Sequence, residues 1–141
     1  HSSIELFNGM GKILSTAEKI TISATAATGT INYDVITQSV LYYTTASSGN
    51  FTVNLRGDGS NSMNNIMDTG ESVTVAFLVT NTGTPYYNSA VQVDGSGVTP
   101  EWQGGAAPSA GNANSVDSYS YTIVKTGDTA FTVFASQVQF A

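Results

Sequence analysis

Apolar and polar residues alternate with a period of two along most of this chain. Segment 51–55 shows the pattern most simply, because Phe, Val and Leu are separated there by Thr and Asn. The longest such run is 73–79, which becomes apolar at consecutive positions and is therefore expected to be a central strand. Successive side chains of a β-strand point to opposite faces of the sheet, so the alternation predicts half-buried strands.

Turn-forming residues separate the alternating runs. Segments 47–50, 81–85 and 125–128 combine Gly with Ser, Asn, Asp or Pro, which tight turns favour. About eight strands follow, joined mostly by short turns, and no strand–helix–strand alternation is present. We therefore expect an all-β fold, an antiparallel β-sandwich that is jelly-roll-like. Only Met63, Ile66 and Met67 have helical spacing, which predicts a single helical turn.

The chain divides into two segments of different character. Residues 18–141 carry the alternating runs and are predicted to form one β-sandwich domain. Residues 1–17 are predicted to be an N-terminal arm or connector, because their apolar residues do not alternate and Gly9 and Gly11 interrupt them. Such an arm could add a strand to a neighbouring subunit. His1-Ser2-Ser3 is expected to be a remnant appended to the natural chain.

Charge is scarce and unevenly signed. Charged residues make up 10% of the chain, against about 25% in average globular proteins, so uncharged polar residues must cover the surface. The net charge is −6 and the four basic residues are scattered, which argues against a nucleic-acid partner. No apolar run approaches the roughly 20 residues that span a bilayer, so no membrane insertion is expected. The absence of Cys excludes disulfides and thiol chemistry.

The residues do not compose a catalytic or metal site. The one histidine is His1, so a Ser-His-Asp triad cannot be built, and no calcium-type loop of closely spaced Asp is present. Asp68-Thr69-Gly70 matches the aspartic-protease triplet, but Val133-Phe134-Ala135 lacks the Gly that the second element of that family requires. Arg56-Gly57-Asp58 matches an integrin-binding tripeptide. Both triplets are also ordinary turn sequences. We expect no catalytic residue, no metal and no cofactor.

Aromatic residues are the best candidates for ligand binding. Tyr86 and Tyr87 are adjacent in a predicted strand, so one of them should point away from the core. Trp102 stands at the mouth of a long predicted loop, 103–115. Exposed Tyr and Trp beside amide side chains stack on sugar rings and anchor protein interfaces. The alternative interpretation is that Trp102 closes one end of the sandwich and the tyrosines cover sheet edges.

Ten segments carry a resemblance to a known group of proteins. They are 18–22, 29–35, 39–44, 51–57, 69–75, 86–87, 98–105, 108–112, 121–126 and 133–137. Over residues 18–141 the chain resembles a recurrent domain of marine tailed phages, especially cyanobacterial ones. That domain occurs in proteins described as virion structural or tail-fibre-like, and it brings no catalytic residues to transfer.

The resemblance implies a non-enzymatic virion structural module, a tail-fibre or head-decoration domain on the extracellular phage particle. Such a module acts through self-association or by docking on other virion proteins. Phage fibres are usually trimers, so a homotrimer is the favoured oligomer. The alternative function is a carbohydrate-binding module that recognises host surface glycans, with Tyr86, Tyr87 and Trp102 stacking on sugar rings.

Overall fold

The computed structural model describes residues 9–140. Ten strands, one short helix and one turn of 3₁₀ helix at Gln103–Gly105 make up this part of the chain. The strands are β1 Thr21–Ala26, β2 Gly29–Asp34, β3 Val40–Thr45, β4 Phe51–Arg56, β5 Ser72–Thr80, β6 Asn88–Val93, β7 Ser96–Val98, β8 Glu101–Trp102, β9 Val116–Gly127 and β10 Ala130–Phe140. The helix, α1, is Met63–Ile66.

The strands form two sheets, and successive strands from β1 to β6 belong alternately to one sheet and to the other. The six-stranded sheet has the order β1-β3-β5-β9-β10-β8, and the four-stranded sheet has the order β2-β4-β6-β7. Strands two apart in sequence pair in parallel, as β1 does with β3 and β2 with β4. Antiparallel pairing is found in the later strands, between β5 and β9, β9 and β10, and β6 and β7.

The structure confirms the all-β prediction but differs from the predicted antiparallel, jelly-roll-like sandwich of about eight strands. It has ten strands in two mixed sheets, and two of the ten, β7 and β8, are short strands on either side of Pro100. Parallel strands need a crossover of about a dozen residues, which is usually a helix. Here a strand of the opposite sheet is the crossover: β2 lies between Ala26 and Val40, the end of β1 and the start of β3.

An aromatic cluster joins the inner faces of the two sheets. Phe77 of β5 packs edge-on against Tyr33 and Phe51 of the four-stranded sheet, with ring centroids 6.1 and 5.8 Å apart. Tyr43 contacts Phe77 from the same sheet at 5.0 Å, and Phe51 contacts Tyr119 at 5.6 Å. Edge-to-face pairs of this kind contribute about 0.5–1.5 kcal/mol each beyond their area burial. The alternating aromatic and aliphatic positions of the sequence thus form the core.

The predicted helical turn is confirmed as α1, and two charged side chains hold its ends. The Asp94 carboxylate accepts hydrogen bonds from the amides of Met63 and Asn64 at 2.7 and 3.0 Å. At the other end Lys125 Nζ donates to the carbonyls of Asn64 and Met67, both at 2.7 Å. Negative charge at a helix N-terminus and positive charge at its C-terminus are both favourable. Lys125 is therefore buried in a structural role.

Residues 9–20 precede the first strand and lie outside both sheets. In this segment Met10 and Ile13 are exposed to 87% and 76%, and Leu14 is fully exposed. The expectations for residues 1–3, and for Ile4, Leu6 and Phe7 of the arm, lie outside the described residues. At the other end of the chain, β10 continues through Phe140.

Candidate interaction surfaces

Tyr86 and Tyr87 lie in the turn between β5 and β6, because β6 begins only at Asn88. The prediction that they belong to a strand is therefore wrong. Both are half-buried, and the carbonyl of Tyr87 accepts a hydrogen bond from the amide of Phe51 at 3.2 Å. Alternation mispredicts these two residues because they still belong to the turn. Hydrogen bonds to neighbouring strands fix the backbone of this turn, so the period of the side chains does not determine where β6 begins.

Trp102 lies in β8, in register with Ala135 of β10. Its side chain is half-buried and packs against the core. Val91 of β6 and Val98 of β7 line the same small cavity. Trp102 therefore helps to cover the side of the core where the edges of the two sheets, β7 and β8, approach each other.

A wide groove runs beside Trp102, between the loop that follows it and β10. The groove has a volume of about 790 Å³. Its walls are uncharged and consist of Trp102, Gln103, Gly104, Ala106, Ala107, Pro108, Ser109 and Ala110 on one side and Gln137, Val138 and Gln139 of β10 on the other. Gln137 fixes the spacing of the walls, because its amide donates to the carbonyl of Ala110 and to the hydroxyl of Tyr119, both at 3.0 Å. We call this cavity the β10 groove.

The outer face of the six-stranded sheet carries no charge on β1, β3, β5, β9 and β10. These strands contain two charged residues, Asp117 and Lys125, and both are buried. One row of side chains crosses all five strands in register: Ile22, Tyr42, Leu78, Ser118 and Val138. We call this surface the uncharged face.

Large apolar side chains are exposed at both margins of the uncharged face. Ile22 of β1 is exposed to 63% at one margin. Phe134, Val138 and Phe140 of β10 are exposed to 51%, 45% and 54% at the other. Tyr42 shows the alternation prediction working, because Tyr43 points into the core against Phe77 while Tyr42 lies in the outward row. Phe134, Val138 and Phe140 place three exposed apolar side chains on one strand, and neighbouring exposed apolar side chains mark candidate interaction sites.

The outer face of the four-stranded sheet has the opposite character, and we call it the polar face. Its central row is Asn32, Asn54, Gln92 and Gly97. Asn54 Nδ2 donates to Asn32 Oδ1 at 3.0 Å, and Asn54 Oδ1 accepts from the amide of Gly95 at 2.9 Å. In the next row Arg56 Nε pairs with Asp34 Oδ1 at 2.7 Å. The side chains of Asn32, Asn54, Asp34 and Arg56 on this face therefore find partners within the chain.

A buried polar cluster lies where the connections that follow β3 and β5 meet the start of β9. Asn81 Nδ2 donates to Asp117 Oδ2 at 3.0 Å, and Ser47 Oγ contacts Asn81 Oδ1. The amide of Asn112 also donates to Asp117 Oδ2, at 3.0 Å. Asp117 Oδ1 and Ser115 Oγ have no hydrogen-bond partner among the described residues. Desolvation of the buried carboxyl raises the pKa of Asp117 above its ordinary value, against the lowering effect of these hydrogen bonds.

Asn88 is a second buried polar group and connects the two sheets. Its Nδ2 donates to the carbonyls of Phe51 and Ala90 at 3.0 and 2.8 Å, and its Oδ1 accepts from the Tyr121 hydroxyl at 2.9 Å. The backbone amide of Asn88 donates a hydrogen bond to the Tyr119 hydroxyl at 3.3 Å. Burial raises the pKa of Tyr119 to about 12 and that of Tyr121 well above the ordinary value, so both hydroxyls stay neutral at physiological pH.

The sequence prediction missed these two clusters, although one of them left a signal. Asp117 and Lys125 have the same phase of alternation as Tyr119, Tyr121 and Ile123. That phase is the inward one, so it placed both charged residues in the interior. Asn88 left no such signal, because its position depends on where β6 begins.

The Asp68-Thr69-Gly70 triplet is a turn leading into β5. The Asp68 amide donates to Glu71 Oε1 at 2.7 Å, and the Gly70 amide donates to the carbonyl of Lys125 at 2.8 Å. Gly70 has φ of 92°, which favours glycine. All three residues are exposed. The turn interpretation accounts for the triplet.

The Arg56-Gly57-Asp58 tripeptide is also occupied by local contacts. Arg56 pairs with Asp34, and Asp58 Oδ1 accepts hydrogen bonds from the amides of Ser60 and Asn61. A Cβ atom at Gly57 would lie 2.5 Å from the carbonyl oxygen of Asn61, so this loop requires glycine.

Residues 9–140 contain no group of three or more His, Cys, Asp or Glu side chains able to hold a metal ion. In the same residues, no helix is long and apolar enough to cross a bilayer.

Comparisons of the chain with family models, with curated proteins and with solved structures find no match. The likeness of residues 18–141 to marine tailed-phage proteins therefore stays a prediction from the sequence. The surfaces described above are the structural basis for a functional proposal.

Proposed function

We propose that the chain is a non-enzymatic structural module of a phage particle, a tail-fibre or head-decoration domain that acts through contacts with copies of itself and with other virion proteins. The uncharged face is the observation that carries the proposal. Two copies of a chain with net charge −6 repel each other in general, but β1, β3, β5, β9 and β10 bring no charge to this face, and the one exposed charge of the neighbouring β8 is Glu101, in register with Phe134. Its exposed Phe, Val and Ile side chains gain about 25 cal/mol for each Å² removed from water.

The particle and the oligomer are further parts of the proposal. The sequence resemblance over residues 18–141 supports a place on an extracellular virion. The usual symmetry of phage fibres favours a homotrimer, in which one margin of each subunit would meet a different margin of the next. Mass spectrometry of purified marine tailed-phage particles, with antibody labelling in the electron microscope, tests the location. Particles that lack the chain would contradict it.

A matched pair of variants tests self-association through the uncharged face. Val138→Asp places a charge on this face, and Thr30→Asp places the same charge on an exposed strand position of the polar face. We expect the unmodified chain to be a multimer by sedimentation, Val138→Asp to weaken association at least tenfold, and Thr30→Asp to leave it unchanged. A monomeric unmodified chain at millimolar concentration would contradict the proposal, as would equal effects of the two variants.

The β10 groove supports a second candidate function, binding of host surface glycans. Gln103, Gln137 and Gln139 offer amide groups around the half-buried Trp102, a combination that suits sugar hydroxyls and rings. Because Trp102 also packs against the core, the sharper variant is Gln139→Ala, with Gln92→Ala on the polar face as its control. We expect Gln139→Ala alone to lose signal on an array of host polysaccharides, at unchanged melting temperature. Equal signals from both variants would exclude the groove as a glycan site.

A further inference from the structure

β10 has an open edge next to the β10 groove. It pairs with β9 along its whole length, but on its other side β8 pairs only with Phe134 and Ala135. From Ser136 to Phe140 the strand has no second strand partner within residues 9–140. An open strand edge presents unpaired amide and carbonyl groups that another extended segment can bind.

The groove has the properties of a strand acceptor. It lies along Gln137, Val138 and Gln139, and the loop wall opposite, 103–110, carries no charged residue. The exposed apolar side chain of Val138 lines it, and the exposed Phe140 follows its last lining residue, Gln139, in β10. A strand placed here would continue the sheet in line with β8 and would bury apolar surface at the same time.

The chain also contains a segment that could serve as the donor. Residues 9–17 belong to neither sheet, and Met10, Ile13 and Leu14 expose almost their whole side chains. The segment contains one charged residue, Lys12, whereas residues 18–141 contain nine acidic and three basic residues. A segment of charge +1 is thus attracted to a body of charge −6.

We propose that the β10 groove receives residues 9–17 of a second copy of the chain, which add a strand to the open edge of β10. The donor leaves its own domain at β1, which lies four strand spacings from β10, about 19 Å, at the opposite margin of the six-stranded sheet. Donor and acceptor are therefore different surfaces on opposite margins, so one such contact is heterologous, and it forms a ring when the rotation between successive copies closes. The inference rests on the proposed self-association and names the segment and the edge through which it occurs.

Disulfide trapping tests this contact without interference, because the chain has no Cys of its own. Two differently tagged full-length chains are co-expressed, one with Ile13→Cys and the other with Gln139→Cys. Under mild oxidation we expect a disulfide-linked pair carrying both tags. The control replaces Gln139→Cys by Thr30→Cys, an exposed strand position on the polar face, and we expect at least tenfold less linked product.

Three outcomes overturn the inference. Linked product that does not exceed the Thr30→Cys control shows that the arm does not reach the groove of another copy. A chain carrying both substitutions that closes an internal disulfide while remaining monomeric shows that the arm occupies its own groove. If the arm fills the groove, a glycan can bind there only by displacing it. A glycan that binds in the groove of the multimer and leaves the arm in place therefore shows that the arm is not the occupant of the groove.

The failure of this inference is distinguishable from failure of the proposed function. A multimer that is sensitive to Val138→Asp but gives no trapped product retains self-association through the uncharged face and excludes the arm. A chain that is monomeric at millimolar concentration contradicts both proposals. Removal of residues 1–17 adds an independent measure, because we expect at least tenfold weaker association if the arm is the donor.

Discussion

The outer faces of the two sheets show two ways of building a protein surface with few charges. On the polar face the amides of Asn32 and Asn54 bond to each other, and Arg56 pairs with Asp34. On the uncharged face Ile22 and Phe134 remain open to solvent at opposite margins. Two polar pairs of the polar face are therefore satisfied within one copy of the chain, whereas the uncharged face leaves apolar side chains in contact with solvent. A low charge content alone does not distinguish the two.

The largest expected effect concerns the core that holds the two faces together. Asn88→Ala removes the amide that bonds to Phe51 in one sheet and to Tyr121 in the other. Because the buried partners lose their hydrogen bonds, we expect about 3 kcal/mol lower free energy of unfolding. Urea denaturation measures the loss, and Ser96→Ala at an exposed position of β7 is the control, with a change below about 0.5 kcal/mol. Loss of hydrogen-exchange protection in only one sheet would show that the faces are not coupled through Asn88.

The next effect separates buried from surface carboxylates. Because the folded pKa of Asp117 is raised, the folded state binds more protons than the unfolded state above the ordinary pKa of Asp, and rising pH lowers stability there. The unfolding free energy of the unmodified chain minus that of Asp117→Asn should therefore fall as pH rises from about 3 to 7.

Asp58 provides the control of opposite sign. Hydrogen bonds from the Ser60 amide and the Asn61 side chain lower the pKa of Asp58, so its contribution is present above the ordinary Asp value and is lost as pH falls. The unfolding free energy of the unmodified chain minus that of Asp58→Asn should therefore rise as pH rises. Parallel pH profiles for the two variants would contradict the assignment.

A smaller effect compares polar pairs on the two outer faces directly. Asn54→Ala removes two hydrogen bonds of the polar face, and we expect a loss of about 1 kcal/mol. Its counterpart on the uncharged face is Thr122→Val, which removes the 2.8 Å contact between the hydroxyls of Thr74 and Thr122. This replacement keeps a β-branched side chain at an exposed pair and should change stability by less than about 0.5 kcal/mol. Equal losses would remove the energetic contrast between the faces.

The smallest effect is that of the ion pair on the polar face. The side chains of Asp34 and Arg56 are exposed to 28% and 30%, so solvent screens their 2.7 Å contact. A double-mutant cycle with Asp34→Asn and Arg56→Gln should give a coupling of about 0.2–1 kcal/mol that weakens in high salt. A coupling that is insensitive to salt would indicate that the contact acts through packing.

The elements were predictable from the sequence more fully than their arrangement. Alternation located β4 at Phe51–Arg56 and β5 at Ser72–Thr80, and helical spacing located α1. It misplaced Tyr86 and Tyr87, because the hydrogen bonds of a turn, and not side-chain period, fix the residues before β6. It could not identify Asn88 as a connection between sheets, since its partners are distant in sequence.

The linear pattern by itself determined the all-β character, the strand segments and the inward phase of residues such as Tyr119 and Tyr121, because side-chain burial in a strand has a period of two. Only the tertiary structure decided which strands are neighbours. A strand can serve as the crossover between two parallel strands, and this choice depends on long-range pairing that local alternation does not record. The same pairing decided that one outer face pairs Asn32 with Asn54 and Asp34 with Arg56, while the other exposes Ile22 and Phe134 and ends at the open edge of β10.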